Sequence, residues 1–190
     1  MAMAQSPIPD GDQITALPWA LNAHAEAMGW PFRCDPSLNF TKPELAALCE
    51  LWRAKAGNDG PPPRATFDMR TLKPFVRNVS LLERIGPEGA RRYRFRLFGS
   101  SLVQLFGEHT GHYLDEMVSP RLLENWVACY DTVLRYGTPL RFINYYRIPN
   151  QDFLKGEIFA APLRGDVDGQ PMVLAATYVG LADGVHPPAG

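Results

Sequence analysis

The chain has 190 residues, 46% of them hydrophobic, with 19 basic against 20 acidic side chains and a formal net charge of −1. Domains commonly run about 100–150 residues, so this length builds one core without metal or disulfide staples, and the even charge draws it toward neither nucleic acid nor an anionic membrane. No apolar run approaches the roughly 20 residues that span a bilayer, and the opening MAMAQSPIPDGDQ lacks the basic start and apolar run of a signal peptide.

Cys34, Cys49 and Cys129 are odd in number and far apart, which fits reduced thiols in a cytoplasm. Cys49 and Cys129 fall in apolar helical patterns and read as small buried hydrophobes. Residues 1–40 read as an N-terminal extension, its first 13 residues unstructured. Pro18 opens a short helix with Leu17, Leu21, His24, Ala25 and Met28 on one face, and Gly29 ends it. Thr41 and Glu44 have the spacing of a capping box. Leu45, Leu48, Cys49 and Trp52 then make one helical stripe over 41–56. Residues 58–63, NDGPPP, are a stiff linker. Phe67, Leu72 and Phe75 supply apolar anchors around a single helical turn over 68–72.

Val79–Ile85 reads as the first core strand, and Gly86-Pro87-Glu88-Gly89 reverses it. Arg92–Phe98 alternates strictly, with Tyr93, Phe95 and Leu97 on one face and Arg92, Arg94 and Arg96 on the other. Gly99 breaks that strand. Ser101 with Gln104 forms a second capping-box pattern before a short helix through Leu102, Leu105 and Phe106, closed by Gly107. A loop follows over 108–117, hinged at Gly111, with Asp115 capping a further turn. Pro120 begins the longest helix. Leu122, Trp126, Tyr130 and Val133 form one apolar row, and Leu123, Val127 and Leu134 the next, until Gly137 and Pro139 stop it. Strands over 140–149, 153–164 and 171–181 complete the chain, with turns at 149–152 and 166–169. The tail, 184–190, reads as unstructured. This order predicts an α+β domain over 41–183: a five-stranded antiparallel sheet with helices on one face, plus the N-terminal helical extension.

From Pro63-Arg64 through Phe67-Asp68, Leu72-Lys73-Pro74 and Val79–Glu83, the chain resembles a PAS domain, and more narrowly a bacterial single-domain PAS family. Tyr93–Gly99, Phe106-Gly107, Thr110-Gly111, Leu114, Gly137-Thr138-Pro139 and Ala161-Pro162-Leu163 carry the resemblance over about 44–180. It implies a PAS fold, a sensory or regulatory role, frequent homodimers and no catalytic residue.

PAS-like domains hold small ligands between their helices and sheet, which places Leu97, Leu102, Leu105, Phe106, Trp126, Tyr130, Phe142, Tyr146 and Tyr178 around the expected cup. Either these side chains fill the space as core, or they line a pocket for a small apolar or aromatic ligand. No cofactor is required. His109 and His112 sit where haem-binding relatives present a ligand, but only loop acids stand nearby, so no metal site is expected. The flavin-thiol photochemistry of light-sensing relatives needs a cysteine that 99–112 lacks. The run Arg91, Arg92, Arg94 and Arg96 faces away from the helices and pairs with Glu83 or Glu157 rather than with nucleotides. A cone-shaped isomerase or cyclase is the alternative. It needs a buried carboxylate, and Asp131 and Glu124 fall off the helix's apolar rows. A sensor without an output segment acts through a partner protein. Leu45, Leu48 and Trp52, or Leu21 and Met28, either form that docking or dimer surface or cap the domain's own sheet. The expectation is a cytoplasmic, non-enzymatic homodimer that touches no membrane.

Overall fold

The computed structural model describes residues 17–57, 60–87, 90–146, 154–166 and 169–181. The predicted leader over 1–13, the turn over 149–152 and the tail over 184–190 lie outside the described residues, as do parts of the turns at 86–89 and 166–169 and of the 58–63 linker. In chain order come α1 (Pro18–Ala27), β1 (Phe32–Asp35), α2 (Pro43–Lys55), α3 (Met69–Leu72), β2 (Val79–Ile85), β3 (Arg92–Phe98), α4 (Ser100–Phe106), α5 (Leu114–Met117), α6 (Pro120–Tyr136), β4 (Leu140–Tyr146), β5 (Leu154–Arg164) and β6 (Pro171–Leu181). The strands form one six-stranded sheet, ordered β1-β4-β5-β6-β2-β3. Every strand pairing is antiparallel. The α+β class stands, and the helical detour lies between β3 and β4 as expected, but with β1 it separates three strands from three.

Two features of the predicted architecture are corrected. The sheet has six strands, not five. The addition is β1, whose four residues, FRCD, are too few for alternation to register. It lies against β4, with Cys34 opposite Phe142. Its outer edge is closed by α1: the Asn22 amide donates to the Cys34 carbonyl and its oxygen accepts from the Cys34 N–H, both at 2.8 Å. The β3 edge is closed too, by His112 and Gly111 bonding the main chain of Phe95. An open edge invites pairing with another chain, and both edges here are covered.

Helices also cover both faces, not one. Strand residues point alternately to opposite sides. Ile158 and Ala160 of β5, with Val173 and Ala175 of β6, pack with α1, α4, α5 and α6. Phe159, Ala161 and Leu163, with Leu174 and Ala176, pack with Leu45, Leu48, Cys49 and Trp52 of α2 and with Phe67 and Leu72. The α2 stripe read from the sequence is real, and all four of its side chains are buried against the chain's own sheet. Leu21 of α1 is buried as well, whereas Met28 is exposed.

Local polar chemistry departs from the expected caps. Thr41 does not close a box with Glu44, because Glu157 of β5 reaches the helix first. Its carboxylate accepts from the Thr41 amide at 2.8 Å, the Thr41 hydroxyl at 2.7 Å and the Lys42 amide at 2.9 Å. Ser101 caps nothing either, since α4 is capped two residues earlier, at Gly99. A Cβ on Gly99 would stand 2.3 Å from the Val76 carbonyl oxygen and 2.4 Å from that of Arg77. The glycine is required by this close approach, not by its dihedral angles. The helical turn expected over 68–72 is α3, capped by Asp68 accepting from the Thr71 amide at 2.7 Å.

All three cysteines are buried. Burial first, then the neighbouring Asp35 carboxylate, pushes the Cys34 thiol up to about 12. Burial likewise raises Cys49 and Cys129. The thiolate is the nucleophile, so native protein at pH 8 is expected to resist iodoacetamide and to take up three labels once urea unfolds it. Rapid labelling of the folded chain would show that one of these sites opens.

Candidate functional site

A cleft of about 300 Å³ lies between the sheet and the α4–α5–α6 side. Its floor is Ser80 of β2, Phe95 and Phe98 of β3 and Thr177 of β6; its walls are Leu102 and Phe106 of α4, Leu114 and Met117 of α5, Val118 and Ser119, and Leu122, Trp126 and Tyr130 of α6. The cleft follows from how α6 packs. Its C-terminal half, including Cys129, Tyr130 and Val133, is buried, while Trp126 and Val127 are half-buried and Leu122 is exposed. Leu122, Trp126 and Tyr130 repeat every four residues, so they form one stripe along the wall. Trp126 stacks on Tyr130 with ring centroids 5.8 Å apart. Phe95 and Phe98 meet edge to face at 5.0 Å. The mouth carries Phe106 and Leu122, both exposed.

Of the nine cup residues read from the sequence, Leu102, Phe106, Trp126 and Tyr130 line this cleft together. Leu105 points to solvent beside it, 50% exposed. Phe142 is buried in the same core layer but does not reach the cleft. The side chain of Tyr146 lies outside the described residues. Leu97 and Tyr178 are on the opposite face, packed against the α2 layer.

Leu97 is displaced for a definite reason. Leu81 pairs with Leu97 but the next residue, Leu82, pairs with Phe95, so Arg96 is an extra residue in a β-bulge. A bulge resets alternation. Beyond it Phe98, not Leu97, shares a face with Tyr93 and Phe95. Sequence reasoning also omitted Ser80, Thr177, Leu114, Met117 and Val118. Leu122 was already in the predicted α6 row and was the one signal available for the mouth.

The histidines do not converge. His109 Nε2 lies 2.9 Å from the Phe106 carbonyl, and its ring meets Phe98 edge-on at 5.4 Å, at the rim of the cleft. His112 Nδ1 lies 3.1 Å from Glu116. Among the described residues no cluster of three or more His, Cys, Asp or Glu side chains is placed to hold a metal.

The basic run meets carboxylates of the same chain. Arg92 grips Asp115, at 2.8 Å, and lies 3.6 Å over the Tyr113 ring. Arg94 pairs with Glu83, as expected, and Arg96 stands 3.6 Å from it. Arg91 and Arg84 both approach Asp131, at 3.9 and 3.5 Å. Asp131 is the acid that the periodicity placed off the apolar rows; the structure buries it to 7% exposure. The Tyr93 hydroxyl donates to it at 2.6 Å. Burial first, and then the Asp131 charge, drives the Tyr93 phenol well above its ordinary value. Asp131 does not line the cleft.

A family model described as a PAS domain matches residues 40–177. No curated protein matches the chain. No described helix is long and apolar enough to cross a membrane.

Proposed function

The chain belongs to the PAS-domain family, and from that we propose that it is a cytoplasmic sensory protein in which a small apolar or aromatic molecule enters the α4–α6 cleft and alters binding of a partner signalling protein. A PAS domain suggests a sensory or regulatory role. The observation that carries the finer reading is the cleft, open at Phe106 and Leu122 and walled by apolar side chains. Concave, mostly apolar sites with a few polar groups are where small ligands bind. The action is binding without turnover: the cleft lining has no carboxylate, imidazole or amine, and the buried carboxylate of Asp131 is committed to Tyr93, Arg84 and Arg91.

The protein acts as a homodimer, and α1 is the best-placed surface for it. Trp19 is 63% exposed and Met28 45%, whereas the α2 stripe is spent on the chain's own sheet. Native mass spectrometry of the full chain tests both parts. Expected are a dimer mass and a small retained molecule that is lost on collisional activation. A bare monomer that also fails to bind a hydrophobic fluorescent probe overturns the reading.

A further inference from the structure

The polar atoms of the cleft say more about its occupant than its apolar walls do. No lining side chain carries a charge. The floor, however, holds two hydroxyls among its rings. Ser80 stands opposite Ala175 across the β2–β6 pair. Thr177 lies two residues on from Ala175, so it shares that face and forms a diagonal cross-strand pair with Ser80. Ser80 is 5% exposed. Neither its hydroxyl nor that of Thr177 makes a hydrogen bond among the described residues, and neither is cut off from the water of the cleft, although the Thr177 carbonyl accepts from Asn78 at 3.0 Å. A ligand that fills the cleft displaces that water, and unless it supplies a partner the two hydroxyls are left unpaired at a cost. Alanine and valine would be the ordinary residues at such positions.

The geometry points to a neutral one- or two-ring aromatic ligand with a single hydroxyl or carbonyl group, its ring among Phe95, Phe98 and Trp126 and its polar atom on Ser80 and Thr177. This deepens the cleft reading above and rests on it. Neutrality follows from the lining: a carboxylate would lose its water and find no cation. Aromaticity follows from three rings able to meet a fourth edge-on or offset. A cleft of about 300 Å³ stands at the small end of ligand sites, which excludes a large multi-ring cofactor lying fully inside.

Equilibrium dialysis of the full chain against naphthalene, 1-naphthol and 1-naphthoate separates the terms. Naphthalene reports the apolar cleft alone. Naphthol is expected to bind roughly 3–10-fold tighter, the worth of one ordinary hydrogen bond, and naphthoate weaker than naphthalene. In the Ser80→Ala/Thr177→Val variant the preference for naphthol over naphthalene should disappear, with a cooperative urea unfolding transition as the control for folding. Naphthoate binding as tightly as naphthol would overturn the inference, and so would a naphthol preference that survives the double substitution. If none of the three binds, the cleft reading itself falls, and this inference with it.

Discussion

Replacing Glu157 by alanine is expected to cost about 3–5 kcal/mol of folding free energy, which for a chain this size is a fall of roughly 6–20 °C in Tm. The reason is what the carboxylate holds. Glu157 is 4% exposed and Arg141, its partner on the neighbouring strand, 6%. The Arg141 Nε–H donates to Glu157 at 2.6 Å, and its Nη1 reaches Asp35 of β1 at 2.7 Å. With the Thr41 and Lys42 contacts, this one side chain ties β5 to β4, to the entry of α2 and, through Arg141, to the edge strand. Removing it leaves a buried guanidinium short of a partner and opens the N-terminus of α2, whose first amides need acceptors. Glu157→Gln should lose nearly as much, because an amide nitrogen must then face the Thr41 or Lys42 N–H. Replacing Glu157 and Arg141 together by Leu and Met should cost less than Glu157→Leu alone, since no unpaired charge is left buried.

The same group makes stability depend on pH. Burial alone would raise the Glu157 carboxyl, but the Thr41 hydroxyl and amide and the Arg141 guanidinium outweigh it and hold it below its ordinary 4.5. A carboxyl lowered in the folded state contributes its full stability above that ordinary value and loses it as pH falls through the lower folded one. Urea midpoints of the native chain should therefore drop below about pH 4.5 more steeply than those of Glu157→Gln. Parallel pH profiles for the two would show that Glu157 carries no linked proton.

How much of this was legible beforehand varied with range. Patterns confined to one element read well. The α2 stripe, the strand-Gly-helix run at Tyr93–Leu102, the long α6 and the late strands all appeared as expected, because period 3.6 and period 2 are local properties. What failed was set by distant partners. Thr41 and Glu44 had the right spacing for a capping box, yet the acceptor came from 116 residues away. Asp131 read as solvated because polarity at a helical position usually means water; here Tyr93, Arg84 and Arg91 converge on it. The site suffered most from the bulge at Arg96. One extra residue moved Leu97 out of the cleft layer and put Phe98 into it, and nothing in RYRFRLF announces that insertion. Tyr178 was lost another way: its strand is covered on both faces, so an aromatic there could face either layer, and it faces α2.

Trp52 decides what α2 is for. Its side chain is 5% exposed, and its indole N–H donates to the Pro162 carbonyl at 2.9 Å. Pro162 has no N–H for the sheet, and the β4–β5 pairing has already ended at Leu140 and Ala160. Its carbonyl therefore needs a donor from elsewhere, and the Trp52 indole N–H supplies it. Trp52→Ala should cost about 3–5 kcal/mol, the usual range for removing a buried tryptophan. Trp52→Phe should keep most of the apolar burial but abandon the carbonyl, for a loss of about 1–3 kcal/mol. Urea unfolding with light scattering on both variants distinguishes an internal role from an intermolecular one. If α2 belongs to the chain's own core, the unfolding midpoint falls in that order while the subunit count of the folded fraction is unchanged. A Trp52→Ala protein with an unaltered midpoint and half the native mass would instead place α2 between copies, and the second core layer would have to be rebuilt without it.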